Sequence, residues 1–392
     1  MIQRLLRAAT LTGLVFVLYG ASAALASEAG NTPAAGPTQS AHIALLLPVQ
    51  SKLFGQHARA LRNGFRAAAK VQGREVLPVR EYAVSEDVGN VLEGYRTAVA
   101  AGAQVVVGPL TRDAVTALAF GEPVPVPTLA LNVADNTGRV PDNLYMLSLQ
   151  VETEARQSAQ LAWREGRRNA VIISGSSPVQ RRMQSAFTSE FLQLGGKVTD
   201  VAYSADPATL SQIGRSSIAL LEPEKPNPGQ RDSNDRRKPE QRIIARSSED
   251  MYFLALDYSA ARTARAYLGA TPIYATSSVH IGDPGPLAGY DLAGITFVDM
   301  PWMLEPNHAA VMIYPRANPR STADLERLYA LGIDAWRAAQ LLLAGARDIR
   351  LDGVTGQLSP GPDGQIARLL VAGRYVDGQP RLLETASREP AR

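Results

Sequence analysis

Cysteine is missing from all 392 residues. Its absence excludes disulfides, cysteine nucleophiles, thiolate metal sites and an acylated cysteine anywhere in this sequence. Histidine is scarce as well. His42, His57, His280 and His308 are scattered, and none has another within metal-ligand spacing. His42 falls at the entry to a predicted strand, and His280 and His308 fall in predicted loops, where a surface or hydrogen-bonded polar role outweighs catalysis. No G-x-G-x-x-G, Walker A or G-x-S-x-G pattern occurs. Asp283 and Asp291 flank a Gly/Pro-rich loop without the spacing of a calcium loop. The pairs Glu152/Glu154 and Glu249/Asp250 sit at predicted element starts, where carboxylates favour the positive helix end or solvate a turn. A strong charge of one sign is also lacking. The net charge is +3, and without Arg4 and Arg7 it is +1, so the basic pI gives no argument for nucleic acid or a membrane surface.

What is present begins with an export signal. Residues 1–26 carry Arg4 and Arg7, an apolar core from Ala8 to Tyr19, and then small residues. Ala24-Leu25-Ala26 fits an A-x-A cleavage site with Ser27 as the first mature residue; Ala21-Ser22-Ala23 is the other option. The rival reading is an uncleaved anchor helix, against which stands an apolar run shorter than the ~20 residues a span needs. Residues 27–40, rich in Ala, Gly, Pro, Thr and Ser, read as a flexible leader. The expectation is an exported protein without a stable membrane anchor and, lacking cysteine, without a lipid.

The mature chain is long enough for two domains, and its 45% hydrophobic and 20% charged content is that of a globular protein. Ile43 to Val49 is a continuous apolar run, as expected of a strand buried on both faces of a parallel sheet. An amphipathic helix with Leu61, Phe65, Ala68 and Ala69 on one face follows it. Leu77–Val84, Ala103–Val107 and Val126–Asn132 continue the strand series. Between them lie a helix capped by Asn90 and ended near Gly102, and a short helix from Thr111. A second series starts near Glu152, with strands at Ala170–Ser174, Lys197–Tyr203, Met251–Leu256, Ile273–Thr276 and Ile295–Met300. Its second helix spaces Met183, Phe187, Phe191 and Leu194 as a core-facing stripe. The last strong helix runs from about Thr322 to Ala344, with Leu325, Leu328, Tyr329, Ile333, Trp336 and Leu343 inward. Strands alternating with helices predict a parallel α/β fold, and two such series predict two lobes with a cleft.

From Glu222 to Arg242, 11 of 21 residues are charged and four are proline, so residues 222–250 read as a mobile insertion. Arg236 and Arg237 within it are candidate partner contacts, although a merely solvated insertion is the blander reading. Ligands of open α/β sheets bind at the carboxyl ends of strands. The polar groups predicted there are Gln50, Ser51, Gly108, Pro109, Asn132, Ser174, Gly175 and Ser277, a set suited to a small polar ligand such as a carboxylate. Lys52, Leu53 and Phe54 make the first of these loops a bulkier lip than such a ligand needs. Met300, Trp302, Met303 and Leu304 leave a strand without periodicity. They read as a core-packed crossover between lobes, or, through Trp302 and Met303, as an exposed anchor for a protein partner.

The chain resembles a known family at Val106-Val107-Gly108-Pro109-Leu110, Leu129-Ala130-Leu131-Asn132, Glu154-Ala155-Arg156-Gln157 and Pro272-Ile273-Tyr274-Ala275-Thr276-Ser277. Asp299-Met300-Pro301-Trp302, Arg327-Leu328-Tyr329-Ala330-Leu331-Gly332 and Thr355-Gly356-Gln357-Leu358 continue the match. Over residues 41 to about 375 it is similar to the carboxyl-terminal domain of the LppC/LpoA-type penicillin-binding-protein activators. The resemblance implies a type I periplasmic-binding-protein-like fold, two parallel-sheet lobes joined by three crossovers. Lobe one is expected at 41–149 plus about 300–345, and lobe two at 150–299 plus about 346–385. It also implies a periplasmic, non-enzymatic regulator that needs no cofactor and stimulates a class A penicillin-binding protein by contact. Two departures from the longer members are expected: no amino-terminal helical-repeat domain ahead of the first strand, and, with no cysteine in the sequence, no acylation. The alternative is a soluble periplasmic solute-binding protein for an amino acid or cell-wall fragment.

Overall fold

The computed structural model describes residues 40–73, 77–135, 138–215, 250–282, 289–316 and 321–383. The expected signal segment, nearly all of the expected leader and nearly all of the charged insertion lie outside these residues, as do Arg236 and Arg237.

Strand β1 (His42–Leu47) is buried at all six positions. Helix α1 (Gly55–Gln72) follows, then β2 (Val79–Ala83), α2 (Val88–Ala100), β3 (Ala103–Val107), α3 (Arg112–Gly121), β4 (Thr128–Ala130) and β5 (Leu144–Met146). These five strands form one all-parallel sheet in the order β2-β1-β3-β4-β5. The cap of α2 is Asp87 rather than the expected Asn90: its carboxylate accepts from the Asn90 amide at 2.8 Å. Gly102, with φ of 94°, ends that helix in the left-handed region, as expected.

The second lobe is built from α4 (Val151–Arg164), β6 (Asn169–Ser174), α5 (Pro178–Gln193), β7 (Lys197–Ala202), α6 (Pro207–Arg215), β8 (Asp250–Ala255), α7 (Tyr258–Arg265), β9 (Ile273–Ala275) and β10 (Ile295–Asp299). Its core is aromatic where the Met183–Phe191 stripe meets β8, with Phe187 stacked on Phe253 at 4.0 Å. The chain then crosses back through α8 (Pro301–Leu304) and α9 (Ala309–Met312) to α10 (Ala323–Leu343).

Although distant in sequence from lobe one, α10 packs on α1. Gly64 and Gly332 make this approach possible. A Cβ at Gly64 would lie 1.8 Å from the Tyr329 carbonyl oxygen, and one at Gly332 would lie 2.0 Å from that of Leu61. Phe65 and Trp336 meet edge to face beside them, with centroids 5.2 Å apart.

The final strands are β11 (Leu351–Gly353), β12 (Gly356–Pro360), β13 (Ile366–Leu369), β14 (Val371–Val376) and β15 (Gln379–Leu382). The first three form a small antiparallel sheet; β14 and β15 extend the second sheet, whose order is β15-β14-β10-β9-β8-β6-β7. The expected assignment of 346–385 to lobe two is therefore corrected. The small sheet is fastened to lobe-one elements, through a bridge between Met146 and Gln365 and through Asp334 of α10, whose carboxylate accepts from the Thr355 amide and hydroxyl, both at 2.7 Å. Lobe two resumes only at β14. The chain thus passes between lobes three times, after β5, after β10 and after β13.

Candidate functional site

The predicted cleft residues of lobe one do gather at one edge, because β1, β3 and β4 are neighbours and end on the same side of a parallel sheet. Their polar groups are largely spent there. Ser51 is buried, and its hydroxyl accepts from the amides of Leu53 (3.1 Å) and Phe54 (2.9 Å), closing the entrance to α1. The Ser51 hydroxyl is also the main cause that lowers the nearby Glu86 carboxyl below its ordinary range. Gln50 is exposed. Gly108 has φ of 116° and precedes a cis bond to Pro109; a Cβ there would stand 2.1 Å from the Leu46 carbonyl oxygen, so only glycine fits. Asn132 donates to the Leu110 carbonyl (3.0 Å) and accepts from the Val133 amide (3.0 Å). In front of this edge stand Leu53, 70% exposed, and Phe54, 40% exposed.

In lobe two, Ser174 and Gly175 line an open cavity of about 390 Å³ at the ends of β6, β7 and β8. Ser176, Gln180, Arg181, Gln184, Tyr203 and Asp257 complete its polar wall. Ser177 and Gln180 form a reciprocal cap on α5, and Asp257 caps α7 by accepting from Ala260. This wall supplies one cation and one carboxylate to whatever enters. Ser277 does not join it. It turns inward, its amide donating to Glu154 at 3.0 Å.

That contact belongs to a buried charge cluster where the crossovers meet. Arg327, carried by α10, donates from Nη2 to Asp299 (2.7 Å) and to the carbonyls of His280 (2.7 Å) and Ser277 (3.1 Å). Its Nε reaches the other Asp299 oxygen at 3.2 Å. His280 Nδ1 lies 2.8 Å from Asp299, and the Met300 amide also donates to that carboxylate. Burial alone would raise the Asp299 carboxyl, but the Arg327 charge and the His280 and Arg327 hydrogen bonds outweigh it and hold the group at about 2. Glu154 goes the other way: burial, then the Asp299 charge, push its carboxyl up. Burial likewise raises Asp334 and lowers Arg368.

Trp302 belongs to the same region and is fully buried. Its indole N–H donates to Glu326 at 3.0 Å, its ring lies 5.6 Å from that of Tyr329, and the Arg316 guanidinium sits 4.2 Å from its centre. This corrects its expectation as a partner contact and favours the crossover reading; Met303 is only half-buried. Sequence reasoning missed Glu154, His280, Asp299 and Arg327 as a unit, although Glu154, Asp299 and Arg327 each open one of the family motifs. Among the described residues no cluster of His, Asp and Glu could hold a metal, and no helix is long and apolar enough to cross a membrane.

One all-parallel sheet, a second sheet that is parallel over β6–β10 with β14 and β15 added antiparallel at its edge, three crossovers and strand-end faces on each lobe define a type I periplasmic-binding-protein-like protein. More narrowly, the family model described as "LppC putative lipoprotein" matches residues 32–378, and the chain belongs to the LppC family. Penicillin-binding protein activator LpoA of Aliivibrio fischeri is 24% identical over 328 residues, covering 81% of this chain and 54% of that protein. The chain spans about half the length of the curated relatives it matches. A solved structure from Chromobacterium violaceum, described as "a putative branched-chain amino acid ABC transporter", is 38% identical. The match covers 86% of this chain and 100% of that one, with a TM-score of 0.67. The LpoA C-domain from Haemophilus influenzae, described as a regulator of PBP1A, shares the fold at 22% identity and a TM-score of 0.68. That match covers 88% of this chain and 100% of the C-domain.

Proposed function

We propose that this chain is a non-enzymatic periplasmic regulator that contacts a class A penicillin-binding protein and stimulates peptidoglycan synthesis. The observation that carries the reading is LppC family membership across residues 32–378, with relatives named penicillin-binding protein activators. The chemistry is consistent with it. The carboxylates that burial perturbs accept from their neighbours: Asp299 from Arg327 and the Met300 amide, Asp334 from Thr355, and Glu154 from the Ser277 amide. They hold the crossovers together and do not line the open cavity of lobe two. Co-purification with the host's class A synthases, followed by glycosyltransferase and transpeptidase assays, tests the proposal. Binding with a rate increase supports it; no binding and no rate change for any synthase sinks it.

A second reading, a solute-binding protein for an amino acid or cell-wall fragment, is favoured by the 38% identical relative and by the lobe-two cavity with Arg181 and Asp257. Thermal-shift screening with amino acids and muropeptides separates the two. A ligand at 100 times its dissociation constant adds ~2.7 kcal/mol of stability.

A further inference from the structure

Arg327 ties the lobes together in an unusual way for a hinge. Its helix, α10, is seated on lobe one by the Gly64–Gly332 contact. All the same, its guanidinium makes four buried hydrogen bonds to lobe-two atoms: both Asp299 oxygens, at the end of β10, and the Ser277 and His280 carbonyls that follow β9. The other crossovers are laced in the same manner. Gln157 of α4 donates to the Arg368 carbonyl at 2.7 Å and accepts from the Leu370 amide at 2.9 Å, spanning the passage from β13 to β14. The Trp302 amide donates to the Val354 carbonyl at 2.9 Å, joining the second crossover to the small sheet. Hinges that close on ligands are a few residues free to change backbone angles. Here the passage from β13 to β14 is held by a side chain of α4, and the end of β10 is held by a side chain of α10.

We propose that this network is a lobe lock, with Arg327 as its key residue, so that the two lobes keep one mutual orientation and do not close on a solute. Rotating the lobes pulls the guanidinium off Asp299 and off two carbonyls with which it makes buried hydrogen bonds. Leaving a buried charge unpaired is strongly unfavourable, which holds any rearranged population below about one molecule in a hundred. The lock stands on its own, whether or not a synthase is the partner, and a regulator with mobile lobes would remain a regulator. A locked cleft would, however, present its partner with a surface of fixed shape.

The absence of cysteine makes the test clean, because two introduced thiols are the only labelling sites. Lys52→Cys and Val179→Cys, both exposed and the second outside the cavity lining, place spin labels on the strand-end lips of lobe one and lobe two. Pulsed dipolar spectroscopy on the full chain should give one narrow distance distribution, unmoved by a mixture of the twenty amino acids. Arg327→Met, or Arg327→Lys if the first variant does not fold, should broaden it or add a second distance. A broad or two-peaked distribution with Arg327 intact overturns the lock. So does a narrow distribution that the folded Arg327 variant, Met or Lys, leaves unchanged.

Discussion

Replacing Gly332 by alanine sets two effects of opposite sign against each other, and the structure says which wins. Alanine is favoured over glycine inside a helix by about 0.8–1.0 kcal/mol, so an exposed site would gain from the change. At Gly332 the new Cβ would lie 2.0 Å from the Leu61 carbonyl oxygen, 2.7 Å from the Phe65 nitrogen and 2.9 Å from the Leu61 carbonyl carbon. All of these are backbone atoms that cannot swing aside. Ordinary contact therefore demands that α10 retreat from α1 by roughly 1.4 Å, which opens the packing around Phe65 and Trp336. Overpacking of this kind costs about 1–3 kcal/mol, and the edge-to-face pair contributes about 0.5–1.5 kcal/mol more. The net expectation is a loss of roughly 1–3 kcal/mol, read as a lower urea midpoint at unchanged slope. Gly121→Ala is the control, since nothing stands within 4 Å of its Cβ position; it should be neutral or slightly stabilising. Stabilisation by Gly332→Ala would refute the close approach of the two helices, and with it the seating of α10 on lobe one.

Trp302→Ala should cost about 3–5 kcal/mol, as emptying a core aromatic does; full stability with weakened partner binding would restore Trp302 as a surface anchor. Asp299 is held at about 2, below its unfolded value, so the stability it contributes is present above pH ~4 and is lost as pH falls toward 2. That contribution is about 2 kcal/mol, and Asp299→Asn should lower stability at pH 7 and flatten the acid limb of urea midpoints measured against pH. An unchanged acid limb would contradict the pairing. Glu154 has the reverse sign: its raised carboxyl favours the fold below its unfolded pKa, and that contribution is lost as pH rises through its folded value. Glu154→Gln should therefore cost less at pH 7 than Asp299→Asn, and a larger loss would contradict the assigned direction.

Much of the fold is legible in the chain because its central strands are buried on both faces. Runs such as Ile43–Leu47, Val105–Val107 and Met251–Ala255 are then continuously apolar and hard to mistake. The late strands are not, since β11, β13 and β15 have only three or four residues each and β13 alternates buried with exposed positions. Helix α10 misleads in a different way. Its apolar stripe predicts one buried face, yet it lies against α1, the second crossover and the small sheet, so Arg327 and Asp334 are buried too. Glu154 looked like an ordinary carboxylate at a helix start. Its burial is imposed by Ser277 and by the Asp299–Arg327 pair, all more than a hundred positions away. Local pattern carries no trace of such contacts, although the motif residues that form them were visible as motifs.

The rate of a purified class A penicillin-binding protein titrated with this chain is the most direct test of the proposed regulator. A saturable rise in glycan polymerisation or crosslinking is expected at concentrations where the two proteins co-purify. A flat rate across that range, for every class A synthase of the host, contradicts it.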